Sequence, residues 1–164
     1  MLALSYWLSV ISYWKMSNQS YETVNAEGSD GIKVGESPPI RTFEDLECWK
    51  KCRELRLFVS QKIVPALPKH ERYRLGDQLV RAARSTTANI AEGYGRFHYL
   101  DNAKFCSNSR GSCWEVLDHL ITSYDDDLVS SELVERGKAL VIQAVKLLSG
   151  YMKYLKDAAH AQGA

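Results

Sequence analysis

The sequence predicts an all-α fold, an antiparallel up-down-up-down four-helix bundle. Three observations carry this expectation. Apolar residues recur at helical spacing in four long stretches between Phe43 and Leu155. The breaks between those stretches are short, which makes consecutive helices antiparallel neighbours. No stretch alternates apolar and polar residues as a half-buried strand would.

The first helix follows Pro38-Pro39. Thr42 is its N-cap, and Glu44 and Asp45 sit in the first turn, where the helix dipole favours acids. Phe43, Leu46, Trp49, Leu55, Leu57, Phe58, Ile63 and Val64 form its apolar stripe, and Pro65 and Pro68 bracket its end. The second helix is expected over 69–92, with Pro68 at the first-turn position and the stripe Leu75, Leu79, Ala82, Ala83, Thr86 and Ile90. The third is expected over 100–124, on Phe105, Ser109, Ser112, Cys113, Val116, Leu117, Leu120 and Tyr124. Small residues on that stripe let a neighbour pack closely. The fourth is expected over 131–156, capped by Ser130 or Ser131, on Leu133, Leu140, Val141, Ala144, Leu147, Leu148, Tyr151 and Leu155. A helix of about 24 residues is roughly 36 Å long, enough to bury a core without a cofactor.

Domain organisation follows from the same pattern. Residues 41–158 are the bundle, and 159–164 are a flexible tail. Residues 1–40 are expected to be a disordered or mis-started N-terminal extension. Its apolar tip MLALSYWLSVISYWKM lacks a basic n-region and is too short to cross a membrane. Met16 opens a polar stretch and is the alternative start.

Gly93 directly follows the last periodic residues of the second helix. A glycine in the left-handed conformation there would close the final carbonyls. Gly95 turns the chain, and His98 takes the cap position of the third helix with Asp101 three residues on. A phosphate-cradling loop is disfavoured. It needs a strand before the glycines and a Walker-type Lys-Ser after them.

The net charge of the 164 residues is +1, but it is unevenly placed. Residues 41–110 hold 14 Lys and Arg against 8 Asp and Glu, an excess of +6, while the flanking blocks are acidic. The candidates for contact with an anionic partner are Lys50, Lys51, Arg53, Arg56, Arg72, Arg74, Arg81 and Arg84 on the first two helices, with Arg96, Lys104 and Arg110 beyond. Asp77 lies between Arg74 and Arg81 and neutralises part of that patch.

A second set is polar. Gln78, Ser85, Asn89 and Glu92 line one flank of the second helix, and Asn108, Ser112, Glu115 and His119 a flank of the third. The structural reading is hydrogen bonding between helices or subunits. The catalytic reading would use Glu92, Glu115 and His119, but it lacks a nucleophile partnership. The di-iron motif Glu-x-x-His is absent from these helices. Cys48, Cys52, Cys106 and Cys113 form no CxxC pair and read as small core thiols in a reducing cytoplasm. No metal, cofactor or catalytic residue is expected.

The run Gln78-Leu79-Val80-Arg81-Ala82-Ala83-Arg84-Ser85, then Asn89-Ile90-Ala91-Glu92-Gly93-Tyr94-Gly95-Arg96, resembles the four-helix bundle proteins encoded in intervening sequences of bacterial 23S ribosomal RNA genes. Phe43-Glu44-Asp45-Leu46 with Trp49, and Arg110-Gly111-Ser112 with Glu115, are similar to two further signatures of that family. The likeness covers about 42–158. Cys52 and His98 depart from the family's small residues, and Ser107 and Asn108 from its more apolar third helix. The resemblance implies a cytoplasmic bacterial bundle that forms ring-like homopentamers. It also implies kinship with the nucleic-acid-binding accessory protein of diversity-generating retroelements. Joined to the charge distribution, it leads to a non-catalytic oligomer that binds structured RNA, or DNA, through a basic surface. The alternative is a protein-interaction scaffold with no nucleic-acid role. No membrane association is expected.

Overall fold

A computed structural model describes residues 40–163 other than 97 and 162. The expectations for the N-terminal extension, Ile40 apart, lie outside the described residues. Among these, the chain is all helical with no strand.

A 3-10 turn, Phe43–Asp45, opens the fold. Thr42 caps it as a capping box: its Oγ1 accepts the Glu44 N–H at 3.1 Å, and Asp45 Oδ2 accepts the Thr42 N–H at 3.0 Å. Helix α1 is Glu47–Phe58, running on through a π-helical segment Val59–Ile63 and a last turn Val64–Ala66. The π segment has a sequence cause. Pro65 has no N–H for the Gln61 carbonyl, and its ring crowds that turn. The helix widens instead, closing with a bond from the Val64 N–H to the Val59 carbonyl.

Helix α2 is Leu75–Tyr94, α3 is Tyr99–Asp125 and α4 is Ser131–Ala161. The start of α2 corrects the expectation of a helix from 69. Residues 69–74 are turns, held by Glu71 and Arg72 N–H bonds to the Pro68 carbonyl. Arg72 also donates to the Leu67 and Pro65 carbonyls at 3.0 and 2.8 Å, capping the end of α1. Helix α4 runs past 156 to Ala161 because Leu155 and Ala159 continue its buried side. Ser130 Oγ accepts the Leu133 N–H at its start, at 3.5 Å. His98 stands at the cap position of α3 but makes no side-chain cap bond.

Each helix packs on its chain neighbours, and α4 returns to α1. The contacts along each pair of chain neighbours run in opposite residue order. Arg56 meets Thr87 while Phe43 meets Tyr94. Ser112 meets Ser85 while Asn102 meets Gly93. Leu120 meets Gly137 while Asn102 meets Tyr151. The core runs along the middle, with Leu55, Leu79, Ile90, Leu120, Leu148 and Leu155 almost fully enclosed. Two expected core positions are exposed. Tyr124 and Leu147 are 50% and 37% exposed, and their chain neighbours Ser123 and Leu148 are buried instead.

The seam between α2 and α3 is built from small groups. Gly93 is not a left-handed cap: it lies inside α2, buried, and the capping Gly95 has an ordinary right-handed φ of −72°. Its role is close approach. A Cβ on Gly93 would stand 2.8 Å from both Asn102 Oδ1 and Phe105 Cβ. Farther along, Ser109 Oγ donates to the Thr86 carbonyl at 2.7 Å, and Ser112 and Ser85 share a hydroxyl bond at 2.9 Å. No described buried side-chain N or O lacks a partner.

The four cysteines are free and buried. Burial, then the neighbouring Cys106 and Cys52, push the Cys48 thiol up to about 12. Burial, then Cys52, likewise push Cys106 up to about 12. The thiol hydrogen bond with Cys52, and then burial, push Cys113 up as well.

Two predictions follow from this packing. Gly93→Ala should destabilise the fold by about 1–3 kcal/mol through overpacking. Gly111→Ala, whose Cβ would meet nothing within 4 Å, should stabilise it by about 0.5–1 kcal/mol through helix propensity. Urea midpoints at neutral pH check both. Stability should also fall as pH rises from the ordinary thiol value of 9.0 towards 12. There the unfolded chain releases the Cys48 and Cys106 protons that the folded chain keeps, at roughly 1.4 kcal/mol per thiol per pH unit. Urea titrations across that range should show the decline, and a smaller one in Cys48→Ala.

Candidate nucleic-acid interface

The basic residues divide by what already holds them. Lys50 pairs with Glu47 at 2.7 Å, Lys51 with Glu54 at 2.6 Å, Arg81 with Asp77 at 2.8 Å and Arg96 with Glu92 at 2.8 Å. Arg74 approaches Glu71 at 3.7 Å. Arg96 also lies over the Phe105 ring, 4.9 Å from its centroid. Arg72 is spent on backbone carbonyls. These pairs are exposed for the most part, so each adds little stability, but they neutralise charge locally. Arg53, Arg84, Lys104 and Arg110 have no ion pair to a described residue. Lys104, Arg53 and Arg84 are exposed and Arg110 is half-buried.

One place gathers cations from two helices. A cleft of about 350 Å³ lies between α1 and α2, lined by Arg56, Ser60, Val80, Ala83 and Arg84. At 3.6 residues per turn, Arg53 stands one turn before Arg56 on α1, and Val80 and Arg84 one turn apart on α2. Arg56 Nη1 donates to Thr87 Oγ1 at 3.1 Å, which holds the guanidinium at the cleft wall. Thr87 Oγ1 in turn donates to the Arg84 carbonyl at 3.2 Å. Ser60 comes from the π segment, and its hydroxyl is occupied by the Arg56 and Leu57 carbonyls at 3.1 and 3.2 Å. Among the described residues no carboxylate lines the cleft. Ser60 carries no sequence motif of its own. Its signal was Pro65, whose disturbance of the preceding turn was legible as chemistry.

The polar flanks meet only in part. Ser85, Asn89 and Ser112 form one network, with Asn89 Nδ2 donating to the Ser85 carbonyl and hydroxyl at 2.8 and 3.0 Å. Asn108 accepts from Ser112 through its carbonyl at 3.2 Å. Gln78, Glu92 and Glu115 are exposed. Glu115 faces His119 on its own helix at 3.9 Å. Glu92 precedes Gly93, which packs at Asn102 and Phe105. His119 lies 14 residues beyond Phe105, about 21 Å along α3 at ~1.5 Å per residue. Glu92, Glu115 and His119 are therefore not brought to one site.

Among the described residues no group of three or more His, Cys, Asp or Glu could hold a metal ion. No helix among them is long and apolar enough to cross a membrane.

Residues 44–150 match the family described as 23S rRNA-intervening sequence protein. No individual curated protein gives a significant match. That span is about two thirds of the 164 residues and reaches into all four helices, so the chain belongs to the 23S rRNA-intervening sequence protein family.

Proposed function

We propose that this protein is a non-catalytic, oligomeric binder of structured RNA. Its four helices close as an up-down-up-down bundle and present a basic surface. The observation that carries the reading is the α1–α2 edge, where Arg53, Arg56 and Arg84 stand without a carboxylate partner among the described residues. Lys50, Lys51, Arg81 and Arg96, by contrast, are each closed by a carboxylate three or four residues away. The family's name associates it with ribosomal RNA genes, which favours RNA over DNA. A cytoplasmic bacterial protein fits the free cysteines, which persist where thiols stay reduced. A homopentameric ring, carried from the family resemblance, would repeat the edge and let weak phosphate contacts add.

A second reading, a protein-interaction scaffold, is favoured by one feature. Trp114 and Ile121, 44% and 40% exposed, share an outer face of α3. The mass of the native particle before and after nuclease treatment separates the two. A mass that falls to that of a bare oligomer supports RNA binding, and a mass unchanged from the outset supports the scaffold.

Affinity for an RNA hairpin should fall linearly with log salt. Arg53→Gln should reduce that slope by about 1 if the side chain contacts a phosphate. Lys50→Gln, whose charge is already paired, should change it less. Absence of binding at low salt would rule the reading out.

A further inference from the structure

We infer that the cleft between α1 and α2 is a subsite for a single nucleotide. Arg56 and Arg84 take its phosphate, and its sugar and base lie along Val80 and Ala83. The inference rests on the nucleic-acid reading and names the unit of chain that this edge would hold.

Shape comes first. At about 350 Å³ the cleft falls at the lower end of small-ligand sites, typically ~300–1,000 Å³. Its wall combines two guanidinium groups with two small apolar side chains. That pairing suits a ligand with an anionic end and a flat, less polar body.

The donors are placed for an anion. Guanidinium forks match the oxygens of a phosphate in a bidentate way that an ammonium cannot. Arg56 commits one N–H to Thr87 and is thereby oriented, with the rest of its five donors free of described partners. Arg84 has no described partner. The nearest acid of α2, Asp77, is engaged by Arg81 at 2.8 Å, which leaves Arg84 uncompensated. The thiols and carboxylates that could hold a metal instead are absent from the lining.

The cleft also has a structural origin. Pro65 forces the π segment, and that segment sets Ser60 at the cleft. Ser60 closes on the Arg56 and Leu57 carbonyls, so its hydroxyl proton is not directed into the cleft. A π turn beside a cleft is a recurring mark of a functional position.

A free nucleoside monophosphate and one nucleotide of an RNA chain offer this site the same chemistry. The full-length protein should be titrated at low salt with uridine 5′-monophosphate, with uridine, with an oligouridylate of about ten nucleotides and with an RNA hairpin. The monophosphate should bind and uridine should not. Arg84→Gln and Ser60→Glu should each weaken monophosphate and oligouridylate binding about ten-fold or more, with unchanged melting temperatures. Ser60→Glu places a negative charge in the cleft on an exposed position, so it tests the site even if Arg84→Gln folds poorly. Lys153→Gln, on α4, should change nothing. Uridine binding as tightly as its monophosphate, or both cleft variants binding like wild type, overturns the subsite. Hairpin binding that persists unaltered in both variants then leaves the RNA reading standing. Loss of all RNA binding in wild type, with Arg84-dependent monophosphate binding retained, keeps the site as one for free nucleotides and overturns the RNA reading.

Discussion

The fold depends on the contact between Gly93 and Asn102. A hydrogen in place of a side chain lets α2 and α3 meet at backbone distance. Asn102 then becomes a junction. Its amide donates to the Tyr151 hydroxyl on α4 at 3.2 Å, and its carbonyl oxygen accepts from the Cys106 thiol at 3.5 Å. One buried amide therefore ties three helices at the turn where α2 gives way to α3. The rest of the seam follows the same rule of small groups, with Thr86, Ser109, Ser85 and Ser112 exchanging short hydrogen bonds where larger side chains would force the helices apart. Burying such hydroxyls is tolerable only because each finds a partner.

This seam shows why the sequence was legible in some places and not in others. Periodicity located four helices, since Leu79, Ile90, Leu120 and Leu148 recur at the spacing that one buried side demands. It misread Gly93 because a glycine after a periodic stretch has two physical uses, a left-handed cap or a close approach. The second depends on Asn102 and Phe105, which the local sequence cannot place. It misread residues 69–74 because Pro68 at a helix start and Pro68 in a turn look alike. The choice was made by Arg72 reaching back to the carbonyls of α1. Tyr124 and Leu147 failed for a related reason: near a helix end, or at the margin of a stripe, a few tens of degrees decide between core and solvent.

The candidate interface was legible in composition and not in arrangement. The excess of +6 over residues 41–110 is real, yet it does not make a patch by itself. The eleven cations proposed from sequence sort into paired and open sets only when the rotamers are known. What gathers Arg56 and Arg84 is the packing of α1 on α2, and what opens the space between them adjoins the π turn caused by Pro65. Charge supplied the suspicion, and helix geometry supplied the place.

The pattern of the ion pairs has a wider consequence. The ion pairs Glu47–Lys50, Lys51–Glu54, Glu71–Arg74, Asp77–Arg81, Glu92–Arg96 and Glu135–Lys138 each join residues three or four apart on the same segment of chain. None of these pairs bridges two helices. For these pairs charge and packing are separable, while Arg56 on Thr87 and Arg96 over Phe105 carry charge across elements. The exterior can drift in sign and position, one helix at a time, while the small-residue seam beneath it stays fixed. Relatives with the same interior are free to present very different faces to whatever they meet.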